Sequence, residues 1–263
     1  MSPYRALRKL AGKTVRAIPW LRRRFYISCD YKVISREQAA TIRADGWMSP
    51  HTARWQQRAY DQLLAEMSAG DPREDLKVAA AAVDAVGLER ASLLEVGCGG
   101  GYYARIFAEL PHTRVDYTGI DFSPSMVRQA QASYPSARFE VGDATALAFA
   151  DGAFDIVYNG VSLMHIPDYG KAIAESRRVA ARAAIFQSVP VLEKRPTTYI
   201  SKYAYGGKVV EVVFNRDELL RDFERAGLKF VQSWRSINYD VGHLLGESSY
   251  AETFLCYPTG TIP

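Results

Sequence analysis

From residue 91 onward, short apolar runs alternate with stretches in which apolar residues recur every three or four positions. ASLLEV (91–96) reads as a buried strand, and the spacing from Tyr102 to Leu110 is helical. VDYTGID (115–121) predicts a second strand. SPSMVRQAQASY (123–134) predicts a helix with Ser123 as N-cap and Pro124 at the first helical position. ARFEVGD and FDIVYNG read as third and fourth strands, Tyr169–Val179 as a helix, and AAIFQSV (183–189) as a fifth strand. A helix over Asp217–Ala226 then precedes LKFVQSW and AETFLCY, two further strands. This rhythm predicts an α/β fold: a doubly wound, mostly parallel, seven-stranded sheet with helices on both faces.

Two regions depart from the rhythm. Residues 31–87 read as helical, most clearly in TARWQQRAYDQLLAEM (52–67). Segment 190–213, rich in Tyr, Lys and Pro, fits neither period and is expected to be an insertion lying over the site as a lid. The expected organisation is a leader over 1–29, an N-terminal helical cap over 30–89, and a ligand-binding domain over 90–263.

Charge changes the picture at the N-terminus. Residues 1–29 contain eight Arg and Lys and no acid, while the whole chain carries +4, which leaves −4 on residues 30–263. Within the leader, Leu7, Leu10, Ala11, Thr14 and Ile18 share one helical face and the basic residues the other; Trp20, Phe25 and Tyr26 follow. Such a basic amphipathic segment (residues 1–26) suits an anionic membrane surface, and an active-site lid is the second reading. No signal peptide or membrane-spanning run is visible, and Cys29, Cys98 and Cys256 show no metal or disulfide spacing. The expected location is cytoplasmic, with a peripheral place on the inner membrane face if the leader is an anchor.

The candidate chemistry lies behind the first strand. LLEVGCGGGYY places Gly97, Gly99, Gly100 and Gly101 between a strand and a helix, where α/β sheets bind ligands. A dinucleotide fingerprint fails, because the sixth position from Gly97 is Tyr102. The pattern Glu95-x-Gly97-x-Gly99-x-Gly101 resembles the first motif of class I S-adenosylmethionine-dependent methyltransferases, over roughly residues 90–190.

The resemblance implies that the glycine loop, with Glu95 and Cys98, holds the methionine part of S-adenosylmethionine, released as S-adenosylhomocysteine. It implies Asp121 on the ribose hydroxyls, Asp143 with Ala144 at the adenine amino group, Phe122 and Met126 along the adenine face, and Asn159 beside the cofactor. No metal is required, because the cofactor carries its own leaving group and the protein supplies mainly proximity.

In YNGVSLMHIPDYGKA, His165 and Asp168 resemble the His-x-x-Asp of small-molecule methyltransferases, and His165 is the candidate base for a hydroxyl acceptor. Packing or helix capping is its alternative role. Trp55, Tyr60, Tyr169, Tyr203 and Tyr205 are candidates for the acceptor wall, with Trp47 and Tyr199 beside them. His51, His112, His243 and the thiol of Cys98 are expected to be structural or inert. The expected function is methyl transfer to a small-molecule or a glycan- or lipid-linked acceptor, by O-methylation; N-methylation of a small amine and non-catalytic cofactor binding are the alternatives. Asn159 is not followed by Pro-Pro-Tyr, which disfavours nucleic acid as partner; the oligomeric state is left open.

Overall fold

The computed structural model describes residues 28–43 and 45–260. The basic leader, with its membrane or lid reading, therefore lies outside the described residues but for its last two positions. Five parallel strands form the centre: β2 (Arg90–Val96), β3 (Arg114–Asp121), β4 (Arg138–Val141), β5 (Phe154–Gly160) and β6 (Ala180–Leu192). β10 (Tyr250–Pro258) runs antiparallel beside β6, and β9 (Leu228–Arg235) closes that edge. The order β4-β3-β2-β5-β6-β10-β9 is the expected seven-stranded sheet. Its direction reverses at β2, so the crevice beyond the C-terminal ends of β2 and β5 is the natural ligand site.

Three further strands make an annex. β7 (Thr198–Ala204) and β8 (Gly207–Asn215) are an antiparallel hairpin, and β1 (Cys29–Ile34) pairs with β7. β8 joins the main sheet only through Val191↔Phe214 and Leu192↔Asn215 of β6. The segment expected to fit no period is thus mostly strand, its alternation hidden because both faces are covered: Val209–Asn215 are all buried. Residues 31–34, read as the start of a helical region, likewise belong to strand β1, completed only by pairing with β7.

The helices follow the sequence signals. α1 (Arg36–Ala40) precedes a 3₁₀ turn, Asp45–Met48. α2 (Pro50–Ser68) starts at Ser49, whose hydroxyl accepts from His51 N, with proline at the first position. α3 (Glu74–Asp84), α4 (Tyr102–Glu109), α5 (Pro124–Ser133), α6 (Tyr169–Val179) and α7 (Arg216–Arg225) cover the sheet, and α8 (Gly242–Leu245) is a single turn. α5 begins as expected, with Ser123 Oγ accepting from Met126 N. One buried cluster joins Leu76, Leu93, Tyr103, Phe107 and Tyr158; a second joins Phe186, Phe214, Phe223 and Phe254 between the main sheet, α7 and the annex. Among the described residues, no helix is long and apolar enough to cross a membrane.

Candidate active site

The loop between β2 and α4 is tied to β3 rather than left to wander. Gly97 N and Cys98 N both donate to Ile120 O, at 2.8 and 2.9 Å. Gly99 N donates to Asp121 Oδ2 and Ser123 N to Asp121 Oδ1, each at 2.9 Å. Asp121 therefore holds the loop and the start of α5 together, and each carboxylate oxygen keeps lone-pair capacity for a ligand hydroxyl.

Two glycines show what the backbone accommodates. Gly101 has φ +80°, and a Cβ there would sit 2.7 Å from the Phe139 ring and 2.8 Å from Ala130 Cβ; this glycine is needed for packing. Gly99 has φ +52° and no heavy atom within 4 Å of a would-be Cβ; it faces open space. Beyond it, Phe122 presents an exposed ring. At the end of β5, buried Asn159 donates from Nδ2 to Ser176 Oγ, while its Oδ1 has no partner. An open glycine cradle, a tethered carboxylate, a bare aromatic face and an unused buried acceptor fit a small ligand carrying hydroxyls, a flat base and a cationic end.

Glu95, at the end of β2, is buried and accepts a short hydrogen bond from the Tyr117 hydroxyl. Burial pushes its pKa up to about 8, with the Tyr117 bond opposing the shift. Asp121 is pushed up to about 6 by burial, against the pull of its two backbone donors. Both acids are poised to ionise when a cation arrives.

The site's roof comes from both ends of the chain. Ser123 Oγ donates to Trp47 O at 2.7 Å and Ser125 Oγ to Met48 O at 2.8 Å, which pins the 3₁₀ turn onto α5. Thr52 Oγ1 donates to Tyr205 O at 2.9 Å, and Gly46 packs against the Tyr205–Gly207 backbone at the tip of the β7–β8 hairpin. The Trp47 and Tyr205 rings stack at 3.9 Å, with His165 at 5.5 Å from Trp47 and 6.3 Å from Tyr205. From α2, Tyr60 stacks on Tyr102 at 4.0 Å; burial first, and then Tyr205, Glu95 and Asp121, raise its phenol pKa, which places it between loop and roof.

His165 ends the 3₁₀ turn Leu163–His165 after β5. Its Nδ1 lies 2.9 Å from Val210 O on the edge of β8 that β6 leaves uncovered. A carbonyl only accepts, so Nδ1 carries the proton and Nε2 the lone pair. Burial lowers its pKa, opposed by Glu211.

Other expected residues stand elsewhere. Trp55 is exposed on α2. Met126 is buried at the start of α5, so the exposed ring of Phe122 alone of the pair is open to a flat ligand. Asp143 is exposed and its carboxylate accepts from Thr145 N and Oγ1, both at 2.8 Å; Ala144 beside it is partly buried. Asp168 does not orient His165 but pairs with Lys171 and Arg36 on the surface. Tyr169 packs on Phe214 at 4.9 Å, and Tyr203 lies on β7 opposite Cys29. Burial raises the Cys98 thiol well above its ordinary pKa, so it is held neutral. Among the described residues, no cluster of His, Cys, Asp and Glu could hold a metal ion.

Residues 94–186, from the end of β2 to the middle of β6, match the sequence profile of a methyltransferase domain family. These residues form a methyltransferase domain of the class I S-adenosylmethionine-dependent type. Its cofactor is S-adenosylmethionine. The 2-methyl-6-phytyl-1,4-hydroquinone methyltransferase of Synechocystis is 39% identical over 101 residues, 36% of this chain and 30% of that protein. The demethylmenaquinone methyltransferase of Renibacterium salmoninarum is 26% identical over 201 residues, 68% of this chain and 82% of that protein. The fold matches a Burkholderia thailandensis 1,6-didemethyltoxoflavin-N1-methyltransferase with bound S-adenosylhomocysteine: TM-score 0.52, 21% identity, covering 80% of this chain and 91% of that one. The chain spans about a third of the first relative's length and most of the second's.

Proposed function

We propose that the protein methylates a hydroxyl-bearing aromatic small molecule of the phenol or quinol class, with His165 as the base. The observation that carries this reading is the tethered imidazole: Nδ1–H is held by Val210 O, which leaves the lone pair on Nε2, and the ring lies 5.5 Å from Trp47 and 6.3 Å from Tyr205. The two relatives named for a hydroquinone and for demethylmenaquinone support the acceptor class.

Within this reading, Glu95, the Gly97–Gly101 loop, with Cys98 packed inside it, and Asn159 hold the methionine end of the cofactor. Asp121 takes the ribose, and Phe122 with the Asp143–Ala144 segment the adenine. S-adenosylmethionine, when bound, supplies an electrophilic methyl group on a sulfonium and leaves as S-adenosylhomocysteine. Tyr60, Tyr205 and Trp47 orient the acceptor ring and keep water from the reacting oxygen. His165 Nε2 accepts the hydroxyl proton, and the oxyanion so formed is the nucleophile. A phenolate carries charge on its ring carbon as well as its oxygen, so the product identifies the atom methylated. The domain division at residues 30–89 and 90–263 belongs to the same reading, the first part roofing the second.

A lipid-linked acceptor accords with the basic leader, and sedimentation with anionic vesicles, with and without residues 1–29, tests that addition separately. The principal experiment offers radiolabelled S-adenosylmethionine with a matched panel of phenols, quinols, sugar alcohols and amines. Label in phenols or quinols supports the proposal. Label confined to amines replaces it with N-methylation, and binding without label in any class returns the protein to a cofactor-binding role.

A further inference from the structure

Behind the roof, the annex buries two opposite charges. Lys202 on β7 and Glu211 on β8 lie with Nζ and Oε2 2.5 Å apart, at side-chain exposures of 9% and 1%. In the hairpin register Ile200 faces Glu211 and Lys202 faces Val209, so the two charged side chains meet diagonally on one face. The Tyr31 ring lies 5.6 Å from Lys202 Nζ. Burial first, and then the nearby Glu211 carboxylate, raises the pKa of the Tyr239 phenol.

A buried ion pair is a poor way to add stability. Two well-packed apolar residues would serve the hairpin as well or better, while removing one partner leaves an uncompensated charge. The surrounding face is otherwise apolar, with Ile200, Val213, Val241 and Leu245. Place in the chain points to a role. Glu211 follows Val210, whose carbonyl orients His165, and Lys202 lies three residues before Tyr205, whose ring closes the roof.

We infer that Lys202 and Glu211 are positioning residues of the methyl-transfer site, a charge pair on the β7–β8 hairpin that holds the Val210 carbonyl and the Tyr205 ring in place and sets the proton affinity of His165. The inference rests on the base role proposed above. Of the charges around the imidazole, Glu211 on β8 favours the imidazolium and Lys202 on β7 opposes it. From the other packed elements, the Tyr205 ring at the hairpin tip lies 6.3 Å from the imidazole, and the nearest charges along the chain are Asp168 and Lys171. The last two are paired with each other at the surface, where water screens them.

The test is a proton NMR titration of the cofactor-free protein. The chain has four histidines, so the His165 resonance is identified by its loss in His165→Gln. Relative to the parent, Glu211→Gln should lower the His165 midpoint by on the order of half a unit or more, and Lys202→Met should raise it. The double variant Glu211→Gln/Lys202→Met should fall between them; it also keeps the face neutral should either single variant fail to fold. A midpoint unmoved in the variants that fold overturns the inference. The acid limb of kcat/KM against pH separates the two claims: if the midpoint moves but the acid limb stays, the pair is coupled to His165 and the base reading fails instead.

Discussion

Trp47 and Tyr205, one in the 3₁₀ turn before α2 and the other at the tip of the β7–β8 hairpin, stack face to face at 3.9 Å and close the site from both ends of the chain. The stack is backed by Thr52 Oγ1 on Tyr205 O, so the two roof pieces act as one. A double-mutant cycle on Trp47→Ala and Tyr205→Ala should give a coupling of about 0.5–1.5 kcal/mol in thermal or urea unfolding. Strict additivity would mean that the roof pieces are independent.

The glycine loop separates packing from binding. Gly101→Ala would force a Cβ into Phe139 and Ala130 at positive φ, and should cost on the order of 1–3 kcal/mol of stability. Gly99→Ala meets no neighbouring atom and pays only the left-handed backbone cost, about 1 kcal/mol. Its methyl instead enters the cradle, so calorimetry should show at least a tenfold loss of S-adenosylhomocysteine affinity. Equal binding by Gly99→Ala and the parent would place the cofactor elsewhere.

Protonation and cofactor binding should be linked. Glu95 and Asp121 stand at about 8 and about 6, above the ordinary carboxyl values of 4.5 and 3.8, because they are buried. The folded protein therefore keeps protons that the unfolded chain has lost, and its stability falls as pH rises from the ordinary values toward 8. A cationic ligand has the opposite preference and favours both carboxylates. Binding of S-adenosylmethionine should thus release protons at pH 7, and its affinity should rise with pH through 6–8. Titrations in two buffers of unlike ionisation enthalpy should differ in apparent heat, and Glu95→Gln should remove most of the difference. Identical heats in both buffers would rule out the linkage.

The parts of the site built by local chain were legible in the sequence. Glu95, the glycines, Asp121 and the Ser123–Pro124 helix start are set within a few residues of their strands, where turn and cap chemistry act. What escaped depends on distant pairing. Strand β1 exists because β7 runs beside it, and the hairpin's alternation is hidden because both its faces are covered. His165 stands out by the His-x-x-Asp it forms with Asp168, but its hydrogen-bond partner is Val210 O, a backbone atom that no motif records. Trp55 and Trp47 illustrate the same limit. Their side chains are equally suited to a wall, and only the fold turns one outward and the other toward His165.

The most direct measurement is turnover of His165→Ala with a phenol or quinol acceptor, alongside its affinity for S-adenosylhomocysteine. With His165 as the base, kcat should fall by about 10²–10⁴ while cofactor affinity stays within a factor of two or so. Turnover equal to the parent's, with the acceptor methylated at the same atom, would contradict the account and leave His165 a packing residue between the 3₁₀ turn and β8.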